Sequence, residues 1–264
     1  MQDQNRELNE PQEPKSRLAL QFDIGHSELA SLCARMQAVI AEHSKKGLSA
    51  GMIAVIMTRI IKEAIDLKFE NKPLSSEHLV LSHDTSEPSL DIFKAKIVRG
   101  MFLTFIEHPH GLPGLLDTLS GIAASGIGIG SFHLPGSGKT IKLKDLQTYY
   151  PDSTSLRSAQ IDLMRRFLVP EQMLGFASAR LGLYCILTGC SLLQVYAAVA
   201  QLNSQCSGIQ TDTTEDLKNA SEIVYQKFSA DSEQLKRFLN QNLFKVLFEE
   251  LFTRESTVFS IFNL

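Results

Sequence analysis

The chain lacks tryptophan altogether, so any large rings in its interior must come from its 15 phenylalanines and five tyrosines. It also lacks a surplus of either charge: 26 Lys and Arg stand against 29 Asp and Glu, a net of −3, with no basic run. That balance excludes the electrostatic footprint of a DNA- or RNA-binding protein. The four cysteines, Cys33, Cys185, Cys190 and Cys206, have no paired CxxC spacing. A zinc site is therefore not expected, and free thiols in a reducing compartment are. No cluster of His, Cys and acidic residues outlines a metal site or a hydrolytic triad, so neither metal nor cofactor is anticipated. An apolar signal peptide is missing too. Met1 to Lys15 is rich in Gln, Glu, Asn and Pro, which describes a disordered leader.

What is present reads as helix. Leu29, Leu32, Cys33, Met36, Val39 and Ile40 recur every three or four residues and share one face. Ser49 can cap a second helix carrying Ile53, Ile56, Ile60, Ala64 and Leu67, which makes a helical hairpin. Asn71 to Pro88 is a polar connection with a short turn at 77–81. Further helices are expected at 88–107, 115–124, 155–168, 170–200, 214–228 and 232–252, with weak strand signals throughout. Leu181 to Leu202 has no charge over 22 residues and could cross a bilayer by length. Its Thr188, Ser191, Gln194 and Gln201, and the absence of a basic flank, favour a buried central helix with no transmembrane segment. The architecture expected is all-α: a leader at 1–15, a helical bundle at 16–87, a second helical domain at 88–205, and C-terminal helices at 206–264.

Between Gly121 and Gly138 the chain is rich in glycine, which favours loop or a very short element. Gly136-Ser-Gly-Lys-Thr140 has the composition of a phosphate-binding loop, but His133 occupies the position of the first glycine, and Lys142 and Lys144 follow where an apolar helix face should begin. The same region, with Leu112-Pro113, Leu116, Gly130-Ser-Phe132-His133 and Pro135-Gly-Ser137, resembles the start of a Rho GTPase-activating domain. There a catalytic arginine follows the phenylalanine. Here His133 stands instead and cannot supply a permanently charged planar donor.

A longer match lies at Leu156-x-Ser158, Ile161, Arg166-Phe167, Pro170, Met173-Leu174-Gly175 and Gly182-Leu183-Tyr184. This run resembles the C-terminal half of the Rabex-type exchange-factor domain, the vacuolar-protein-sorting-nine family. That resemblance implies a guanine-nucleotide exchange factor for endosomal Rab GTPases of the Rab-five subgroup. It also implies that Tyr184 holds the GTPase switch region, and that an aspartate some forty residues earlier disturbs the phosphate and magnesium site. The family's Asp-Asp-x-Leu-Pro signature is missing, and Asp145, 39 residues before Tyr184, is the best spacing match. Negative charge beside phosphate oxygens weakens nucleotide binding, which gives a carboxylate there a physical purpose. Arg157, Gln160 and Arg180, taken as exposed flanks, are the candidate partner contacts. The alternatives are a Rho GTPase-activating-like protein and a helical interaction module without exchange activity.

The C-terminus, Glu249-Glu250-x-x-x-x-Glu255 followed by Val258, Phe259, Ile261 and Phe262, resembles the tail of Dot/Icm type IV secretion substrates. Together the resemblances imply a bacterial effector delivered to a host cytosol, with a small GTPase as its partner; the alternative is a cytoplasmic protein.

Overall fold

The structure is a computed structural model describing residues 26–70, 72, 74, 84–107, 114–134, 138–176, 178–208 and 212–264. The expected leader and the turn at 77–81 lie outside the described residues. Helices α1 (His26–Lys45) and α2 (Ala50–Phe69) form the anticipated hairpin. The Ser49 hydroxyl accepts the amide of Met52, satisfying one of the donors that a helix start leaves open. Gly47, at φ +80°, makes the turn between the two helices.

Helix α3 (Ile92–Glu107) starts four residues later than its pattern suggested. The reason is Asp91, whose carboxylate accepts the amide of Lys94 while its own amide donates to Ser260 Oγ at 2.6 Å. Helix α4 (Leu115–Gly126) crosses α3 at glycine: an added Cβ on Gly100 would stand 2.1 Å from the Ile122 carbonyl oxygen. The glycine-rich stretch does contain strands. β1 (Ser131–His133) pairs antiparallel with β2 (Thr140–Lys142), Phe132 opposite Ile141. A 3-10 helix, Leu143–Tyr149, follows; its Leu143 and Lys144 amides donate to Gly130 and Gly128 oxygens, both at 2.8 Å, which fastens it to the end of α4.

Asp152 caps α5 (Ser153–Phe167) by accepting two amides. The single helix expected over 170–200 is instead α6 (Pro170–Leu174) and α7 (Ala179–Cys206). Gly175 lies so close to Ala230 that a Cβ would come within 2.3 Å of that methyl, and Ser178 caps the new start through Leu181. Beyond α8 (Thr213–Phe228), the helix expected over 232–252 is likewise split into α9 (Glu233–Leu239) and α10 (Asn242–Phe252). A further helix, α11 (Glu255–Ile261), packs on α2 and α3.

Apart from the β1–β2 pair, then, the described chain is all-α, and one hydrophobic core runs from Leu29 in α1 to Ile261 in α11. Helix α7 is its axis, packed by α2, α5, α8, α10 and α11. It is long and apolar enough to cross a membrane, and 89% of its most apolar window is buried within the fold. In the absence of tryptophan, phenylalanines fill the largest volume: Phe102 meets Phe228, Phe238 and Phe248 with ring centroids 5.6, 4.5 and 4.7 Å away.

Candidate functional site

Tyr184 and Arg180 are one turn apart on α7 and come together at a cavity of about 200 Å³. Its walls are α2, through Thr58, Arg59, Lys62 and Asp66, and the α10–α11 corner, through Phe252 and Glu255. The Tyr184 ring packs on Phe252 at 4.9 Å and Phe248 at 6.2 Å, leaving the residue only 4% exposed. Burial pushes its hydroxyl up to about 12. Arg180 pairs with the buried Glu249 at 3.2 Å, and Arg59 holds Glu255 through two hydrogen bonds of 2.8 and 2.5 Å. Two of the three cations lining the cavity are therefore already neutralised.

Asp145 lies elsewhere. It is exposed on the 3-10 helix and takes no part in the wall around Tyr184. The buried Leu143 and Leu146 anchor that helix, and its bond to Gly128 sets Asp145 beside the C-terminal end of α4. Helix α4 itself turns apolar side chains to solvent along its length. Leu115, Leu116, Leu119 and Ile127 are 56, 79, 45 and 61% exposed, while the adjoining stripe of Thr118, Ile122 and Gly126 is buried. The helix was legible in the sequence; which of its apolar residues would remain uncovered was not.

The remaining candidates make contacts within the fold. Arg157 ties α5 to the α1–α2 turn, donating to the Leu48 oxygen at 2.7 Å and the Ser44 oxygen at 3.0 Å. Gln160, expected on an exposed flank, is buried in the core at 4% exposure. The acidic tail is also engaged. Glu249 and Glu255 are the ion-pair partners just described, and Val258, Phe259 and Ile261 are core residues. His133 is exposed on β1, while Pro135 to Ser137 of the glycine-rich motif lie outside the described residues. Among the described residues no group of His, Cys, Asp and Glu could hold a metal ion. Comparison with protein-family models, with curated proteins and with solved structures gave no match to this chain.

Proposed function

We propose that the chain docks a partner protein through the exposed apolar face of α4 and acts as a guanine-nucleotide exchange factor for an endosomal Rab GTPase. The observation that supports docking is the exposure of Leu115, Leu116, Leu119 and Ile127 along α4, with the exposed Asp145 following Lys144, which is bonded next to Ile127 at the far end of that helix. Apolar side chains clustered on one face at this exposure mark interaction surfaces. A carboxylate at the edge of such a face can reach the phosphate and cation of a docked nucleotide site and weaken their hold. The choice of a Rab rests on the resemblance in α5 to α7, and with it goes delivery to a host cytosol as a type IV effector. Exchange needs no bond-breaking chemistry, only tighter binding of the nucleotide-free GTPase than of the loaded one. In this reading α7 is the core helix of a soluble domain.

Release of a fluorescent nucleotide from a panel of Rab GTPases tests the proposal. Acceleration is expected, reduced at least tenfold by Leu116→Asp, which alters an exposed side chain, and by Asp145→Ala. No acceleration for any Rab at micromolar protein would sink the exchange activity. The burial of Tyr184 favours a second reading, an interaction module without exchange. It predicts a Rab bound through α4 with its nucleotide release unchanged. Faster GTP hydrolysis that depends on His133 would point instead to the GTPase-activating alternative.

A further inference from the structure

A second cavity, about 110 Å³, opens between α3, the end of α4 and the 3-10 helix, and its wall is unusual in charge. Lys96, Arg99 and Lys144 line it together with Gln147, the Ile127–Gly128 turn, Leu143 and Leu264, and no acidic side chain contributes. Arg99 is the most telling of these. It is only 5% exposed and, among the described residues, its guanidinium donates once, through Nη2 to the Gly126 carbonyl at 2.8 Å. Its Nε is buried with no partner, and so is the hydroxyl of the neighbouring Tyr150. No ion pair joins Lys96, Arg99 or Lys144 to a carboxylate among the described residues, the chain-terminal one of Leu264 included. Asp145, next to Lys144 in sequence, is absent from the wall.

A buried guanidinium without a counter-charge is costly to fold, and arginine keeps its proton, so the charge cannot be shed. Burial does pull its pKa down, and Tyr150 is the group that partly opposes this. Three cations converging without an acidic side chain, and without an ion pair to the Leu264 carboxylate, are the recognition chemistry of a compact oxyanion. The size fits one tetrahedral group, and no aromatic side chain lines the cavity to stack a base. We infer that this cavity, built by Arg99, Lys96 and Lys144, binds a phosphoryl group, either as free phosphate or carried on a lipid headgroup. It is separate from the glycine-rich motif at 136–140, and it does not depend on the exchange reading.

The test needs only the full chain. Inorganic phosphate at 10 mM should raise the melting midpoint by roughly 3 °C over sodium chloride at equal ionic strength, given a dissociation constant near 1 mM. Isothermal titration should show one site. The Lys96→Gln/Lys144→Gln double variant should lose the shift with its own midpoint nearly unchanged, while Lys142→Gln, outside the wall, should keep it. Flotation with phosphatidylcholine vesicles, with and without 5% phosphatidylinositol monophosphate, distinguishes the sources: binding only to the latter assigns the lipid headgroup, and free phosphate alone is assigned by the titration. No shift beyond that of salt and no flotation, or an effect that survives in the double variant, would overturn the proposal. In either event the nucleotide-release experiment stands or falls by itself.

Discussion

Replacing Gly100 with alanine tests how α4, and with it the exposed docking face, is held. An added Cβ would meet the Ile122 carbonyl oxygen at 2.1 Å, the Gly126 nitrogen at 2.9 Å and the Ile122 carbonyl carbon at 3.0 Å. All three are backbone atoms of α4, so no side chain can rotate out of the way. Contacts of this kind are comfortable near 3.5 Å, and α4 would have to retreat by roughly 1 Å or more. Retreat loosens the packing of Ile122 and stretches the bond from Arg99 to the Gly126 oxygen, now 2.8 Å. Overpacking of this sort costs about 1–3 kcal/mol, and a weakened hydrogen bond from a charged donor about 1.5 kcal/mol or more. Against this, alanine is a better helix former than glycine by about 1 kcal/mol. The repulsion wins, and a net loss of about 2–3 kcal/mol follows. Urea unfolding followed by circular dichroism measures the loss. Amide exchange should locate it, with α4 losing protection while α7 keeps its own. A Gly100→Ala protein within about 0.5 kcal/mol of the parent would refute the close crossing as the device that seats α4.

Burial raises the Tyr184 hydroxyl from about 10 in the unfolded chain to about 12, so its contribution is full below pH 10 and lost as pH rises to 12. At about 1.4 kcal/mol per unit this approaches 2.7 kcal/mol; Tyr184→Phe should flatten the alkaline fall in stability and leave pH 7 unaltered, and identical curves would refute the assignment. Because Cys33, Cys185 and Cys190 are buried and burial pushes all three thiols up, a thiol reagent at pH 7.5 should titrate one group, Cys206, in the native protein and four after denaturation. Glu249→Ala should cost about 3 kcal/mol by stranding Arg180, as read by urea unfolding, whereas a cost below 0.5 kcal/mol would mean that the pair is solvated.

The elements that the sequence reveals are those whose instructions are local. Ser49, the spacing from Leu29 to Ile40, and the α8 pattern each lie within a few residues of what they determine, and each helix appears within one or two residues of its expected start. Where the instruction comes from afar, the reading fails. Nothing near Gly175 says that Ala230 will press against it, and so the break between α6 and α7 is invisible until α8 has packed beside α7. Helix α9 parts from α10 for no reason visible in local spacing, because Phe238 and Phe248 must both reach Phe102 on α3. The same limit governs the sites. Arg180 and Tyr184 could be paired from their spacing, but Arg59 and Lys62 join them only through the docking of α2. Lys96 and Arg99 share a helix turn, yet the third cation, Lys144, arrives only because Gly128 and Gly130 accept the amides that follow β2. Gly100 and Gly126 therefore act twice. By letting α3 and α4 approach to backbone contact they seat α4, and they place Arg99 where, among the described residues, its one hydrogen bond is to the Gly126 carbonyl and its Nε is left without a partner.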